Sequence, residues 1–325
     1  MILAGDIGGT STRLALASIE GRTLALDPLE RYVSREYGGL GEIVEAFLAA
    51  HPARVDRACF GIAGPVREGR VETPNLPWVI EAEKISALLG GAEVRLLNDL
   101  EANAFGVFTL GPGDFHVLNQ GRPAPDGNAA IISPGTGLGE AGYYADGREL
   151  RPFASEGGHA DFAARNDLEV ELFSWLTKQL GHVSYERALS GPGLVNLYTF
   201  LRDTGRGDEP AWLADAMRAG DAAAAVSKAA LAGTAPLAVG ALDLFVSILG
   251  AEAGNLALKM KATRGVYIGG GIAPKILPRL TQPGFLEAFV DKGRFREFME
   301  AVPVQVILNE FTALRGAALC ASLPA

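Results

Sequence analysis

Short apolar runs punctuated by glycine-rich loops recur along this chain. Met1–Ala4, Ala129–Ser133 and Gly265–Ile268 read as buried strands. They lead into Asp6-Ile7-Gly8-Gly9-Thr10, Pro134-Gly135-Thr136-Gly137-Leu138-Gly139 and Gly269-Gly270-Gly271. Glycine lets backbone N–H groups approach a phosphate, and strand ends are where α/β sheets bind such ligands. After the first loop, Leu14 and Leu16 alternate with small residues, which predicts a second strand. After the second, Glu140–Tyr144 is strand-like up to the turn Ala145-Asp146-Gly147. The first two loops are therefore predicted to be hairpin turns. A dinucleotide fingerprint needs a helix directly after its glycines, and a P-loop needs a Gly-Lys pair, which is absent. The third loop leads to Pro274, predicted at the first position of a helix.

Elsewhere the spacing predicts helices over Leu40–Ala50, Leu100–Phe108, Asp167–Leu180, Pro192–Asp203, Pro210–Leu231, Ala235–Lys261 and Thr312–Ala321. Strands are predicted over Ala58–Ala63, Val94–Leu97, Phe115–Gln120 and Val304–Leu308. Asp99 is predicted to cap the helix that starts at Leu100. No Pro/Gly/Ser linker divides the chain.

Composition narrows the classes. With 325 residues the chain is long enough for two domains. Its net charge of −9 argues against a nucleic-acid partner. Cys59 and Cys320 are its two cysteines and suggest neither a zinc site nor a disulfide framework. Few cysteines and no basic leader predict a cytoplasmic protein. Ala235–Leu258 is about long enough to span a bilayer. Asp243 and Glu252 would be costly there, so a buried helix packing through Gly240, Gly250 and Gly254 is predicted and no membrane partner.

Phosphoryl transfer needs a phosphate cradle, a metal, a base and exclusion of water. Asp6, at a strand end ahead of Gly8, Gly9 and Thr10, can orient Mg²⁺ through water, because that ion keeps much of its hydration shell. A turn aspartate bonding its own backbone satisfies the same pattern. Asp99, beside Asn98 at a helix start, is favoured as an anion and can accept a hydroxyl proton. A plain helix cap satisfies that pattern too. Glu156, His159 and Glu186 offer carboxylate and imidazole groups that suit sugar hydroxyls, and surface or structural roles also account for them.

Together these segments resemble the bacterial glucokinase family of the sugar kinase/Hsp70/actin superfamily. The match runs in order through Gly5–Thr10, Leu97-Asn98-Asp99, Gly135–Gly139, Glu156–His159, Leu189–Tyr198, Gly269–Ile272 and Asp291–Phe295. The resemblance implies a two-domain actin-like ATPase (ribonuclease H-like) α/β fold with the active site in the interdomain cleft. It implies a small domain of residues 1–108 plus 305–325 and a large domain of residues 109–304. It implies transfer from ATP, with Mg²⁺, to D-glucose, giving glucose 6-phosphate, in a homodimer. Asp99 then matches the catalytic base. Asn98, Glu156, His159 and Glu186, with Asp99, match the sugar contacts. Gly8, Gly9, Thr10, Gly135, Thr136 and Gly137 match the phosphate loops, and Gly269, Gly270 and Gly271 lie near the adenosine. Pro134 departs from the pattern, since it has no N–H to offer a phosphate. The related repressor/open-reading-frame/kinase family often carries a multi-cysteine zinc site, which this chain cannot build. Another hexose (mannose, fructose or N-acetylmannosamine), another donor (ADP or polyphosphate) and a non-catalytic sugar sensor remain open at this stage.

Overall fold

The computed structural model describes residues 1–21, 23–73, 76–147 and 150–324. The chain forms two compact units. One holds Met1–Asp114, Pro152–Ala154 and Asn309–Ala325; the other holds Phe115–Arg151 and Ser155–Leu308.

The first unit begins with β1 (Ile2–Ile7), β2 (Ser11–Glu20) and β3 (Thr23–Val33), then α1 (Leu40–Ala50) and β4 (Arg57–Ile62). A small hairpin, β5 (Arg70–Glu72) and β6 (Val79–Glu81), precedes α2 (Ala82–Leu88), β7 (Glu93–Asn98) and α3 (Asp99–Val107). The main sheet has the order β3-β2-β1-β4-β7. β1 runs antiparallel to β2 and parallel to β4, and β4 runs parallel to β7. Successive side chains of a strand point to opposite faces, so each strand feeds two cores. Leu3, Leu14, Leu16, Phe60 and Ile62 join Ile43 and Phe47 of α1 on one face. Ala4, Ala15, Ala17 and Cys59 lie on the other, against Ala102 of α3 and the C-terminal α12 (Thr312–Ser322). That face is lined with alanine, which lets the helices approach closely. At the crossing of α3 and α12, a methyl group on Gly106 would overlap the Thr312 carbonyl, and one on Gly316 the Ala102 carbonyl.

The second unit contains β8 (Phe115–Asn119), β9 (Ala129–Pro134), β10 (Leu138–Ala145) and the two ends of β11 (Leu150–Ser155), followed by α4 (Asp167–Leu180), α5 (Gly191–Asp203), α6 (Ala211–Ala219) and α7 (Ala222–Leu231). The long α8 (Pro236–Met260), β12 (Gly265–Ile268), α9 (Leu277–Leu280), α10 (Pro283–Val290), α11 (Arg296–Ala301) and β13 (Val304–Ile307) complete it. Its sheet has the order β11-β10-β9-β12-β13-β8. β9 runs antiparallel to β10 and parallel to β12, and β12 runs parallel to β13. The order β11-β10-β9-β12-β13 therefore repeats that of β3-β2-β1-β4-β7. α8 is apolar and long enough to cross a membrane, yet 78 % of its apolar window is buried. Gly250 and Gly254 lie directly against backbone carbonyls of α10.

Three expectations are corrected. The helix expected over Pro210–Leu231 is two helices, α6 and α7. Gly220 ends the first, and Asp221 caps the second by accepting from the Ala224 N–H at 3.0 Å. Pro274 lies in a turn, and the helix begins only at Leu277 with Pro278 in its first turn. Finally, the last strand was expected to return to the first domain with the last helix. β13 instead stays in the second unit's sheet, because β12 and β8 offer it hydrogen-bonding edges on both sides. Only the segment from Asn309 onward joins the first unit.

Candidate active site

In the first unit, the turn between β1 and β2 carries Gly8, Gly9 and Thr10. The Gly8 N–H donates to the Ser11 carbonyl at 3.0 Å and closes the turn. Buried Ser34, just after β3, fixes it from behind. Its Oγ donates to the Gly8 carbonyl at 2.8 Å, its N–H donates to the Thr10 carbonyl at 3.2 Å, and its Oγ shares a hydrogen bond with Thr12 Oγ1 at 3.1 Å. The carbonyls of Gly8 and Thr10 and the Gly8 N–H are thus taken up by the protein, which leaves the N–H groups of Gly9 and Thr10 as the loop's donors toward an anion. Sequence reasoning missed Ser34, because β3 was not recognised and nothing placed its end beside the loop.

Asp6 is one residue short of the end of β1, opposite Arg13 on β2. Its side chain is 26 % exposed. Burial pushes its carboxyl up to about 6; Arg13, with a guanidinium nitrogen 3.8 Å away, opposes the rise, and the Asp99 carboxylate adds to it. Arg13 is also committed elsewhere, donating to the Glu310 carboxylate and carbonyl, each at 2.8 Å.

β7 delivers Asn98 and Asp99 to the start of α3. The cap is Asn98 and not Asp99 as expected: Asn98 Oδ1 accepts from the Leu100 N–H at 2.9 Å. The helix starts one residue earlier than its apolar pattern suggests. Asp99 becomes its first residue and accepts from the same N–H at 2.9 Å. An anion in the first turn is favoured by the helix dipole. Asn98 also donates to the Gly64 carbonyl at 3.1 Å, so much of its amide holds the strand end together.

In the second unit, the equivalent turn joins β9 to β10. The Gly135 N–H donates to the Gly137 carbonyl at 2.8 Å, and the Gly135 carbonyl accepts from the Gly191 N–H at the start of α5. Gly270, with φ of +78°, lies against the Pro134 carbonyl, which also accepts from the Ile272 N–H at 3.3 Å. The Gly269–Gly271 loop and the Gly135–Gly137 loop are therefore packed together. Pro134 occupies the last position of β9, where it pairs with Leu138. Gly135, Thr136, Pro192, Asp221, Gly271 and Lys275 help line a cavity of about 540 Å³, a volume suited to a small-molecule ligand.

Leu138 ties this hairpin to the remaining expected residues. Its N–H donates to Glu186 Oε2 at 3.0 Å. The same carboxylate lies over Gly137, so a side chain there would have to displace it. Gly158 packs on the Leu138 carbonyl with little space. Glu156 and His159 flank this glycine pair in an exposed turn, closed by the His159 N–H donating to the Glu156 carbonyl at 3.0 Å. Glu186 and the turn that carries Glu156 and His159 thus both adjoin the β9–β10 hairpin at Leu138. Asp6, Gly8, Gly9, Thr10, Asn98 and Asp99 are gathered likewise at the strand ends of the first unit.

Strand order, hairpin loops and carboxylates at strand ends define the class: a sugar-kinase phosphotransferase of the actin-like, ribonuclease H-like fold. A family model described as Glucokinase matches residues 3–323. A glucokinase of Nostoc sp. (strain PCC 7120 / SAG 25.82 / UTEX 2576) is 42% identical over 338 residues, covering 99% of each chain. The crystal structure of a glucokinase from an Antarctic psychrotroph superposes with a TM-score of 0.86 at 31% identity, covering 98% of both chains. That of a Balamuthia mandrillaris glucokinase in complex with glucose gives 0.81 at 21% identity, covering 98% of this chain and 93% of the other, and speaks for the fold alone. The chain belongs to the glucokinase family.

Proposed function

We propose that the protein transfers the terminal phosphoryl group of ATP to the 6-hydroxyl of D-glucose, with Asp99 as general base. The observation that carries the chemistry is Asp99 itself, a carboxylate at the C-terminal end of β7 and in the first turn of α3. Membership of the glucokinase family carries the choice of sugar. Asp99 accepts the hydroxyl proton as the oxygen attacks phosphorus, from the first turn of a helix, where an anion is favoured. Asn98, Glu156, His159 and Glu186 orient the sugar through its other hydroxyls. Glu186 does so with its position set by the Leu138 N–H. The loops Gly8–Thr10 and Gly135–Gly137 receive the phosphates, and the cavity beside Gly271 receives the adenosine.

Asp6 suits Mg²⁺. Its carboxyl is short of positive charge, since burial and Asp99 both oppose ionisation while Arg13 is shared with Glu310. A single carboxylate also suits an ion that keeps several waters and takes further oxygens from phosphates. Bound there, Mg²⁺ would neutralise charge on the ATP phosphates. A cytoplasmic homodimer is proposed on family likeness, and light scattering of the purified protein checks the dimer.

The test is ADP release by the purified protein with Mg-ATP and a panel of hexoses. Glucose is expected to give the highest kcat/KM. Asp99→Asn is expected to lower kcat by at least ~10²-fold, the scale of a lost general base, while glucose still binds. A near-normal kcat in that variant would remove Asp99 from its role, and preference for another hexose would move the specificity.

A further inference from the structure

Beneath the turn of Glu156 and His159 lies a carboxyl group that the reaction above does not use. Glu140, on β10, is 1 % exposed. Its Oε1 is buried and has no hydrogen-bond partner among the described residues. Its Oε2 lies so close to Gly157 that a methyl group there would overlap it. The backbone of Glu140 is tied to the same turn: its carbonyl accepts from Ser155 Oγ at 2.9 Å, and that hydroxyl accepts from the Gly157 N–H at 3.2 Å.

From α8, fully buried Glu252 faces the same space. It accepts from Asn255 at 2.8 Å and from Lys259 at 3.2 Å. Asn255 also donates to the Tyr185 hydroxyl at 3.0 Å, next in sequence to Glu186, and accepts from Lys292 at 2.8 Å. The charged and titratable groups around Glu140 are therefore Glu252 and Lys259 from α8, Tyr185 and Glu186 from their turn, Glu156 and His159 from the turn above, and the more distant Lys292 and Arg165. Lys259 is already paired with Glu252. Among the described residues Oε1 of Glu140 meets no donor, and the Glu252 carboxylate is the like charge beside it, so an uncharged carboxyl is the form that this buried space favours.

We propose that Glu140 is a positioning residue for the sugar: its uncharged carboxyl, wedged beneath Gly157, holds the turn of Glu156 and His159 where those side chains meet glucose. The assignment rests on the sugar contacts proposed above. Burial first, and then the Glu252 charge, lift the carboxyl to about 8, while Lys259 opposes the shift. Above that pH the ionised group must draw in water or move, and the turn moves with it.

The experiment is steady-state kinetics with glucose between pH 6.5 and 9.5 on the wild type, Glu140→Ala, Glu140→Gln and Glu252→Gln. In the wild type, KM for glucose is expected to rise above a transition near 8, by roughly tenfold per pH unit, while kcat changes far less. Glu140→Ala is expected to raise KM at pH 7 by ~10-fold, and Glu140→Gln, which copies the uncharged acid, to restore it and flatten the pH profile. Glu252→Gln removes the like charge and should move the transition to lower pH. A Glu140→Gln profile that follows the wild type overturns the assignment. So does a raised KM in that variant at pH 7, or an unmoved transition in Glu252→Gln should the Glu140 variants not fold. Lack of turnover with every hexose overturns the proposed function and this assignment with it. Turnover with an unchanged profile overturns this assignment alone.

Discussion

Single side chains decide how the phosphate loop of the first unit is held. Ser34 reaches it through one hydroxyl that bonds both the Gly8 carbonyl and Thr12. Replacing it with alanine leaves a carbonyl and a buried hydroxyl short of a partner, at about 1–3 kcal/mol. The Gly8 carbonyl would then be free to turn toward the nucleotide, while the Thr10 carbonyl keeps its bond to the backbone N–H of residue 34. Ser34→Ala is therefore expected to raise KM for ATP more than KM for glucose and to lower Tm by several degrees. An unchanged KM for ATP would show that β1 and β2 alone fix the turn. Asn98 carries the complementary lesson. Its motif position was legible, but its two hydrogen bonds within the unit show that it also builds the strand end it was expected to decorate.

At the scale of elements, α12 packs closely across α3, the helix that carries Asp99 as its first residue. The contact is made by Gly106 and Gly316 against backbone carbonyls. Gly316→Ala would force these helices apart or strain them, and overpacking of this kind costs about 1–3 kcal/mol. The expected result is a lower denaturation midpoint together with a reduced kcat, because the displaced helix carries the base. Loss of stability with kcat intact would show that α3 is held by β7 instead. The apolar periodicity of α3 and α12 was readable in the chain. Their closeness was not, since a glycine inside a helix looks the same whether it faces water or a carbonyl.

The whole molecule inherits the unfavourable charge of Glu140. A carboxyl whose folded value is raised from 4.5 to about 8 keeps its proton in the folded protein after the unfolded chain has lost it. Stability from this group is fully present below the unfolded value. It falls as pH climbs from about 4.5 to about 8 and levels off above that. The Tm advantage of Glu140→Gln over the wild type is thus expected to be near zero at pH 4, to grow through neutrality and to stop growing above pH 8. A pH-independent difference between the two proteins would show that Glu140 ionises normally. The same scale also holds the repetition of strand order between the two sheets, which carries each hairpin loop at an equivalent place.

By itself the chain determined most of its strands and most of its helices, since their alternation and helical spacing are local properties; β3, β5, β6 and β11 were not read from it. It also marked the loops Gly8–Thr10, Gly135–Gly137 and Gly269–Gly271, because bare glycines at strand ends need no distant partner to be noticed. Asp6 and Asp99 were legible for the same reason. Tertiary structure decided the rest. β13 stays in the second sheet because β8, far away in sequence, offers it an edge. Glu186 reaches the Leu138 N–H across residues that sequence spacing does not bring together. Glu140, one more residue in a strand pattern, acquires its significance only when Gly157 and Glu252 close over it. Local periodicity is written in neighbouring residues, whereas burial and charge environment depend on which distant segments fold against each other.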